Sequence, residues 1–307
     1  MAKRATKVKV ETVARDLSAI RDLSISYGFP LEWKDFPQIK QLKKGLFNVY
    51  GKSEPDKRKP VTFEILKQFY SKLNIKLYFD DLMFFTWMVI MVVNLLRTTE
   101  GAAAHKFVTP NGIDRGSQAA LWCKNLNIIK DNTKVNSVKY MILTLKATKN
   151  SVHNQSVETV IGHGIDPINP VKLMITYLTK RKLLSRYNKK LLISPNAPLF
   201  LFEDGSILTR NDASLLLNDL AFSCKLTGKY SGQSFRMGGG TSLAQRNYSN
   251  HVIQRAGRWK SDAFKTYIRL DNEFLANLPL NAMLAPIVNQ YAQFGYQKSK
   301  NRRVGGR

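Results

Sequence analysis

Residues 232–269 read GQSFRMGGGTSLAQRNYSNHVIQRAGRWKSDAFKTYIR, and this stretch decides how the rest of the chain is interpreted. It places Arg236, Trp259 and Tyr267 along one helix-rich segment. A guanidinium can hold a phosphate group, an indole N–H can donate a hydrogen bond to its oxygen, and a phenol can attack its phosphorus. In a strongly basic protein this combination indicates covalent chemistry on a DNA backbone.

Three consecutive glycines, Gly238, Gly239 and Gly240, follow Arg236 inside this helical stretch. Each costs about 1 kcal/mol relative to alanine in a helix interior. Such a cost predicts that backbone approaches backbone here, or that backbone approaches a ligand. The alternative is a flexible loop.

The charge of the chain predicts a polyanionic partner. It has 307 residues with 48 Lys and Arg against 22 Asp and Glu, a net charge of +26. Neutralising phosphates would make the affinity for such a partner steeply dependent on salt. The alternative is a basic protein that is merely soluble. A hydrophobic content of 44% is that of a globular protein with a core.

Several other protein classes are disfavoured. Cys123 and Cys224 lie far apart without CxxC spacing, which argues against a disulfide framework or a zinc site. The longest apolar run, Leu82 to Leu96, is too short for a membrane span and predicts a buried helix. Because the N-terminus lacks an apolar signal core, we expect an intracellular protein.

The pattern along the chain predicts a helical N-terminal region over residues 8–50 and a linker at Gly51–Pro60. Thr62 and Thr209 are predicted helix starts, and Asp80 and Asp81 are predicted caps of the apolar helix, which should end near Arg97. Further expected elements are two strands at 138–145 and 156–161, a helix opened by the prolines at 167 and 170, a strand or extended turn at 198–205, and a basic, disordered tail at 298–307.

Two more groups of residues could join the site. Arg97 and Glu100 stand three apart on one helical face, so Glu100 could hold the guanidinium. The alternative is an ordinary surface ion pair. Lys149 lies in the turn between the two predicted strands and is a candidate basic residue of the site. Lys146, three residues earlier, is the alternative candidate.

Together the segments LLRTTEG, PLFLFEDGSILTR, SFRMGGGT and GRWKSDAFKTYIR resemble the tyrosine recombinase (phage integrase) family, and occur in that family's order. The likeness is greatest to the recombinases of Crypton and DIRS-like mobile elements. It covers about residues 10 to 285, and its C-terminal part is the most specific.

The resemblance implies a mostly α (α+β) fold in two domains that clamp DNA from opposite sides. Residues 1–59 would form a small helical core-binding domain that lacks its first helices, with the linker at 51–60. Residues 60–297 would form a mainly helical catalytic domain with a small antiparallel sheet. The Arg97–Lys149 interval is longer than usual, so an insertion is expected within residues 101–137.

The resemblance also implies roles for individual residues. Arg97 and Arg236 would be the two catalytic arginines, Lys149 the lysine of the β-hairpin, and Tyr267 the nucleophile. Trp259 would stand at the family's His/Trp position, and Glu100 would support the first arginine. Gln233 departs from the pattern, because most members have histidine there and an amide cannot shuttle a proton. No metal or other cofactor is implied.

The implied activity is site-specific recombination or integration of a mobile element through a 3′-phosphotyrosyl intermediate. The expected partners are double-stranded DNA and further copies of the chain, as a tetramer on DNA; in a eukaryotic host it would act in the nucleus. Two alternatives stay open. One is a catalytically decayed DNA-binding derivative, with Gln233 as its symptom; the other is a nicking-closing enzyme like type IB topoisomerases. An amphipathic segment at residues 281–294 could dock on a neighbouring subunit, which favours the recombinase, or pack on its own domain.

Overall fold

The computed structural model describes residues 10–29, 36–50, 58–104, 107–109, 112–114, 120–131, 137–145, 156–182, 197–270, 272 and 274–277. The chain divides into two compact units, residues 1–58 and 59–307. The described part of the first unit holds helices α1 (Val10–Ser26) and α2 (Pro37–Tyr50). On α1, Val13 is buried, but the apolar side chains of Ile20 and Leu23 are more than half exposed, at 55% and 58%.

The described part of the second unit is mainly helical with a small antiparallel sheet, as predicted. Its elements are α3 (Phe63–Lys72), α4 (Phe79–Val93), α5 (Thr98–Gly101), β1 (Phe107–Thr109), β2 (Gly112–Asp114), a 3-10 helix (Cys123–Asn125), β3 (Leu126–Lys130), β4 (Val138–Leu145), β5 (Val157–Ile161), α6 (Pro170–Lys180), α7 (Arg210–Ser223), α8 (Gly232–Gln245), α9 (Asn250–Ala256) and a second 3-10 helix (Asp262–Tyr267).

Helix α4 is the centre of this unit, which confirms the prediction of a buried helix. Every residue from Leu82 to Val92 is buried, because no polar face interrupts the apolar run. The helix packs against α3, α6 and α8. No described helix has both the length and the apolar character that a membrane crossing requires.

Both predicted ends of α4 need correction. The N-cap is Tyr78, and the side chains of Asp80 and Asp81 instead accept hydrogen bonds from the backbone N–H groups of Glu203 and Asn74, each at 2.7 Å. The helix ends at Val93 rather than near Arg97, because Leu95 adopts a left-handed conformation with φ 49°.

The sheet has the order β3-β4-β5 with antiparallel neighbours, and Leu145 of β4 pairs with Val157 of β5. The predicted strand over 138–145 is confirmed, and the second begins one residue late, at 157. Strand β3 was not predicted. Strands β1 and β2 form a separate two-stranded ladder.

Capping side chains set the starts of three helices. Thr62 caps α3 and Thr209 caps α7, as predicted, each accepting a backbone N–H within the first turn. Helix α6 begins only at Pro170, because the side chain of Asn169 accepts the Lys172 N–H, so Pro167 lies before the helix. Residues 198–205 form an extended turn with two isolated bridges, at Pro198 and Leu201, rather than a regular strand.

The glycines of α8 lie where two other backbone segments approach the helix. A Cβ at Gly238 would stand 1.7 Å from the Val61 carbonyl oxygen, and one at Gly239 would stand 2.2 Å from that of Val92. Gly240 differs, since its nearest neighbour would be an indole carbon 3.9 Å away. The prediction of backbone approaching backbone is confirmed at the first two glycines, and the flexible loop is excluded.

We therefore expect opposite results from two alanine substitutions in the same helix. Gly238→Ala should lower the free energy of unfolding by about 3 kcal/mol or more, because backbone must move to admit the methyl group. Gly240→Ala should raise it by about 1 kcal/mol through helix propensity. Urea denaturation of both variants measures the difference; equal effects would contradict the close approach.

Candidate active site

Arg97 and Glu100 form the first part of the site. Arg97 is the N-cap residue of the short helix α5, and its backbone N–H donates to Glu100 Oε2 at 2.8 Å. The Arg97 guanidinium also donates to Glu100 Oε1 at 2.7 Å. The carboxylate is buried, with 4% of the side chain exposed, while 36% of the Arg97 side chain is exposed. The buried Glu100 carboxylate thus holds the partly exposed Arg97 guanidinium in place.

Arg236, on α8, is one of the largest fully buried side chains of the described residues, 2% exposed. Its Nη1 donates to the Leu95 carbonyl at 2.7 Å, and its Nη2 donates to the Gly257 carbonyl. Its Nε has no hydrogen-bond partner among the described residues. Burial, followed by the charges of Arg97 and Arg258, lowers the pKa of Arg236 to about 10.

A third guanidinium, that of Arg258, completes a cluster that the sequence had not indicated. Arg258 follows α9 and donates to Glu100 Oε2 and to the Asn94 carbonyl, each at 3.0 Å. Burial lowers its pKa, and the charge of Glu100 acts in the opposite direction. The sequence signal was weak: an arginine between Gly257 and Trp259 at a helix end.

The cluster has an excess of positive charge. The three guanidinium groups of Arg97, Arg236 and Arg258 share one carboxylate, Glu100, so three positive charges less one negative leave a net two. Burial is the largest cause of the lowered pKa of Arg236, and repulsion by the charges of Arg97 and Arg258 lowers this pKa further. The net positive charge would attract an oxyanion to the cluster, and the buried Nε–H of Arg236 is a donor without a partner among the described residues.

Trp259 and Tyr267 lie beside Arg236. The Arg236 Cζ atom is 4.3 Å from the Trp259 ring centroid and 5.9 Å from the Tyr267 ring centroid. The two rings are 5.4 Å apart and tilted by 48°. The sequence suggested Trp259 as a hydrogen-bond donor to phosphate. In the structure its ring covers the guanidinium, a cation–π contact that orients Arg236.

Tyr267 is the last residue of the second 3-10 helix, and its position is set by both neighbouring segments. Phe264, in the same turn, is buried with its ring 6.0 Å from Trp259. After the turn, the Arg269 N–H donates to Thr241 Oγ1 of α8 at 2.9 Å. Tyr267 itself is half-buried, so its phenol stands at the edge of the cluster.

Core contacts fix α5 against α8. The Trp87 indole N–H donates to the Gly101 carbonyl at 2.8 Å, and its ring meets the Phe235 ring edge-on with centroids 5.1 Å apart. At the start of α8, Gly232 lies so close to Thr98 that a Cβ would stand 1.9 Å from its hydroxyl. One core side chain therefore touches the elements that carry Arg97 and Arg236.

The structure brings together four of the six residues expected to take part in catalysis: Arg97, Arg236, Trp259 and Tyr267. Gln233 is exposed in the first turn of α8, three residues before Arg236. Lys149 and its competitor Lys146 lie outside the described residues, between β4 and β5. Within the described ranges, no group of three or more His, Cys, Asp or Glu side chains could hold a metal ion.

Comparison with known proteins gave similarities of structure only. No protein-family model matches the chain, and no curated protein matches it. Among solved structures, XerH site-specific recombinase in a post-cleavage complex with difH has a TM-score of 0.47 and 16% identity over 74% of this chain and 54% of that one. The Tn1549 transposon integrase bound to circular intermediate DNA has a TM-score of 0.48 and 14% identity, covering 91% and 82%.

XerA recombinase is similar at a TM-score of 0.46 and 13% identity, covering 89% of this chain and 84% of that one. These neighbours are tyrosine recombinases. The chain spans about half the length of the XerH chain. At such identities and TM-scores, conclusions about function depend on the residues of the site itself.

Proposed function

We propose that the protein is a tyrosine-type DNA strand transferase, a site-specific recombinase or integrase of a mobile element of the Crypton or DIRS-like kind. One observation carries the proposal: a buried arginine with an unused donor, Arg236, lies in a cluster of excess positive charge beside the phenol-bearing ring of Tyr267. This is the arrangement needed to bind a phosphodiester next to a nucleophile.

In the proposed reaction, the phenol oxygen of Tyr267 attacks a DNA phosphorus in line with the bond to the 5′ oxygen. As the new P–O bond forms and the old one breaks, negative charge grows on the non-bridging oxygens. Arg97 and Arg236 stabilise that charge with fixed donors. Lys149, or Lys146, gives the leaving 5′ oxygen its proton, and the phenol proton passes to water or to a phosphate oxygen.

The product is a 3′-phosphotyrosyl link with a free 5′-hydroxyl. Because the link keeps a phosphodiester bond, a second 5′-hydroxyl can attack it and release Tyr267, with no external energy source. The net charge of +26 supports double-stranded DNA as the substrate. Residues 1–59 would act as the core-binding domain, and several copies, as a tetramer, would assemble on the DNA, in the nucleus of a eukaryotic host.

A decayed DNA-binding protein is the second candidate. It is favoured by Gln233, which is exposed where a proton acceptor would serve the reaction. The test incubates the protein with nicked suicide duplexes of randomised sequence and isolates complexes that survive detergent. A covalent adduct supports the transferase, and DNA binding without an adduct supports the decayed protein. Relaxation of supercoiled plasmid without strand exchange would indicate a topoisomerase-like enzyme.

Substitutions at Gln233 test whether an amide suffices at this position. Gln233→Ala should slow adduct formation about 10-fold, the lower end of the range for a hydrogen bond to a charged group, because the side chain is exposed. Gln233→His should keep or raise the rate. The rates are measured by single-turnover cleavage. An inactive wild type together with an active His variant would refute the transferase proposal and support decay.

A further inference from the structure

We propose that Arg258 is a positioning residue that holds the two proposed catalytic arginines, Arg97 and Arg236, in place; this role rests on the strand-transferase function proposed above. It touches both halves of the cluster. Its guanidinium donates to Glu100 Oε2 at 3.0 Å, and the same carboxylate holds the guanidinium and the backbone N–H of Arg97. Its Nη2 also reaches the Leu95 carbonyl at 3.5 Å, the acceptor used by Arg236.

The other hydrogen bonds of Arg258 go to the turn that follows α4. Its Nη1 donates to the Asn94 carbonyl at 3.0 Å, so it secures the two consecutive carbonyls of that turn. Asn94 is buried, and its amide side chain joins the turn to the sheet through the Thr159 hydroxyl at 3.1 Å. Movement of this turn would displace the acceptor of Arg236 and the backbone leading to Arg97. Arg258 therefore controls the spacing between the two guanidinium groups.

The backbone at Arg258 supports a role for its side chain. Helix α9 ends in a Schellman pattern, with the Trp259 N–H bonded to the Gln254 carbonyl at 3.0 Å. Arg258 occupies the left-handed position of that pattern, with φ 57°, where glycine is usually preferred. The chain has a glycine one residue earlier instead, because a Cβ at Gly257 would collide with the Trp259 ring at 1.7 Å. Helix termination alone would favour glycine at position 258.

An ordinary buried ion pair is the competing explanation, and burial allows it. Side-chain exposures of 15% for Arg258 and 4% for Glu100 are typical of a pair that serves the fold. Such a pair would affect thermal stability without a specific effect on the anion site. A positioning residue must also change how tightly the cluster holds an oxyanion and how fast the chemistry proceeds, because a misplacement of about 1 Å can cost about 10²-fold in rate.

Three variants of the full chain separate these explanations. Arg258→Gly removes the side chain and suits the left-handed backbone. Arg258→Lys keeps the charge but loses the planar fork that contacts several acceptors at once. Arg255→Ala is the control, because it removes one positive charge at an exposed position in helix α9, three residues before Arg258. For each we measure inorganic phosphate binding by titration calorimetry at low salt, duplex affinity, and the single-turnover rate of adduct formation.

We expect Arg258→Gly to weaken phosphate binding about 10-fold or more and to slow adduct formation about 10²-fold. Its affinity for duplex DNA should equal that of Arg255→Ala, because both variants lose one positive charge. Arg258→Lys should fall between Arg258→Gly and wild type. Phosphate binding and rates equal to those of Arg255→Ala would overturn the inference, as would a wild type that binds no phosphate. If Arg258→Gly does not fold, Arg258→Lys decides, and wild-type phosphate binding in it overturns the inference.

The phosphate measurement keeps the two proposals distinguishable. A wild type that makes no adduct with any duplex contradicts the strand-transferase function, while phosphate binding by the variants still decides the role of Arg258. A wild type that makes the adduct at the same rate as Arg258→Gly contradicts only the positioning role.

Discussion

Tyr267→Phe is expected to abolish the detergent-resistant protein–DNA adduct while leaving duplex binding unchanged. The phenol oxygen is the atom that would bond to phosphorus, and phenylalanine lacks it. The ring itself is retained, so its packing against Trp259, at 5.4 Å between centroids, should persist. Gel analysis of suicide-substrate reactions measures the adduct, and fluorescence anisotropy measures binding.

The control is Tyr248→Phe, because Tyr248 is an exposed tyrosine outside the cluster, 51% exposed. It should form the adduct at the wild-type rate. An adduct in Tyr267→Phe would show that another residue is the nucleophile. Tyr248 and Tyr291 would then be tested individually, with the linked peptide identified by mass spectrometry.

Loss of either proposed catalytic arginine, Arg97 or Arg236, is expected to slow cleavage by about 10² or more, the usual effect of removing one preorganised donor to a developing oxyanion. The structure separates the two variants in a second respect. Arg97→Ala removes a partly exposed side chain, and Glu100 keeps Arg258 and the backbone N–H of residue 97 as donors, so the loss of stability should be the smaller of the two. Arg236→Ala also removes the donor to the Gly257 carbonyl and the nearer of the two donors to the Leu95 carbonyl, and an orphaned acceptor costs about 1–3 kcal/mol.

Single-turnover rates at saturating DNA measure the first effect, and urea denaturation measures the second. Arg255→Ala again controls for the loss of one charge. Wild-type cleavage in Arg97→Ala would refute the proposed role of Arg97 in stabilising the developing negative charge. For Arg236→Ala, cleavage must be compared under conditions where denaturation shows the variant to be folded, and an unchanged rate there would refute its role.

Features with a local cause were predictable from sequence. The apolar run of α4 indicates a buried helix. Thr62 and Thr209 indicate helix starts, because their hydroxyls accept hydrogen bonds from backbone N–H groups of the first turn. Strand β4 was recognisable from its β-branched and aromatic residues. Strand β3 was missed because five residues ending in lysine, LNIIK, acquire strand character only by pairing with β4.

The candidate site divides in the same way. Arg97, Arg236, Trp259 and Tyr267 were found because each stands in a recognisable segment. Arg258 was missed because its acceptors are mostly backbone carbonyls more than 160 residues away, and carbonyls carry no sequence signature. The end of α4 was misplaced for a related reason: Leu95 adopts a conformation normally left to glycine.

The double contact of Trp87 has a consequence for how the sequence of the proposed strand transferase could diverge. Since one indole contacts both Gly101 and Phe235, the distance between Arg97 and Arg236 depends on packing in the hydrophobic interior. Interior substitutions that preserve stability could still retune the catalytic rate without altering any residue that meets DNA. Selection for activity, as well as selection for folding, would then limit which core substitutions persist. Grafting the surface residues onto another scaffold would not reproduce the spacing of Arg97 and Arg236.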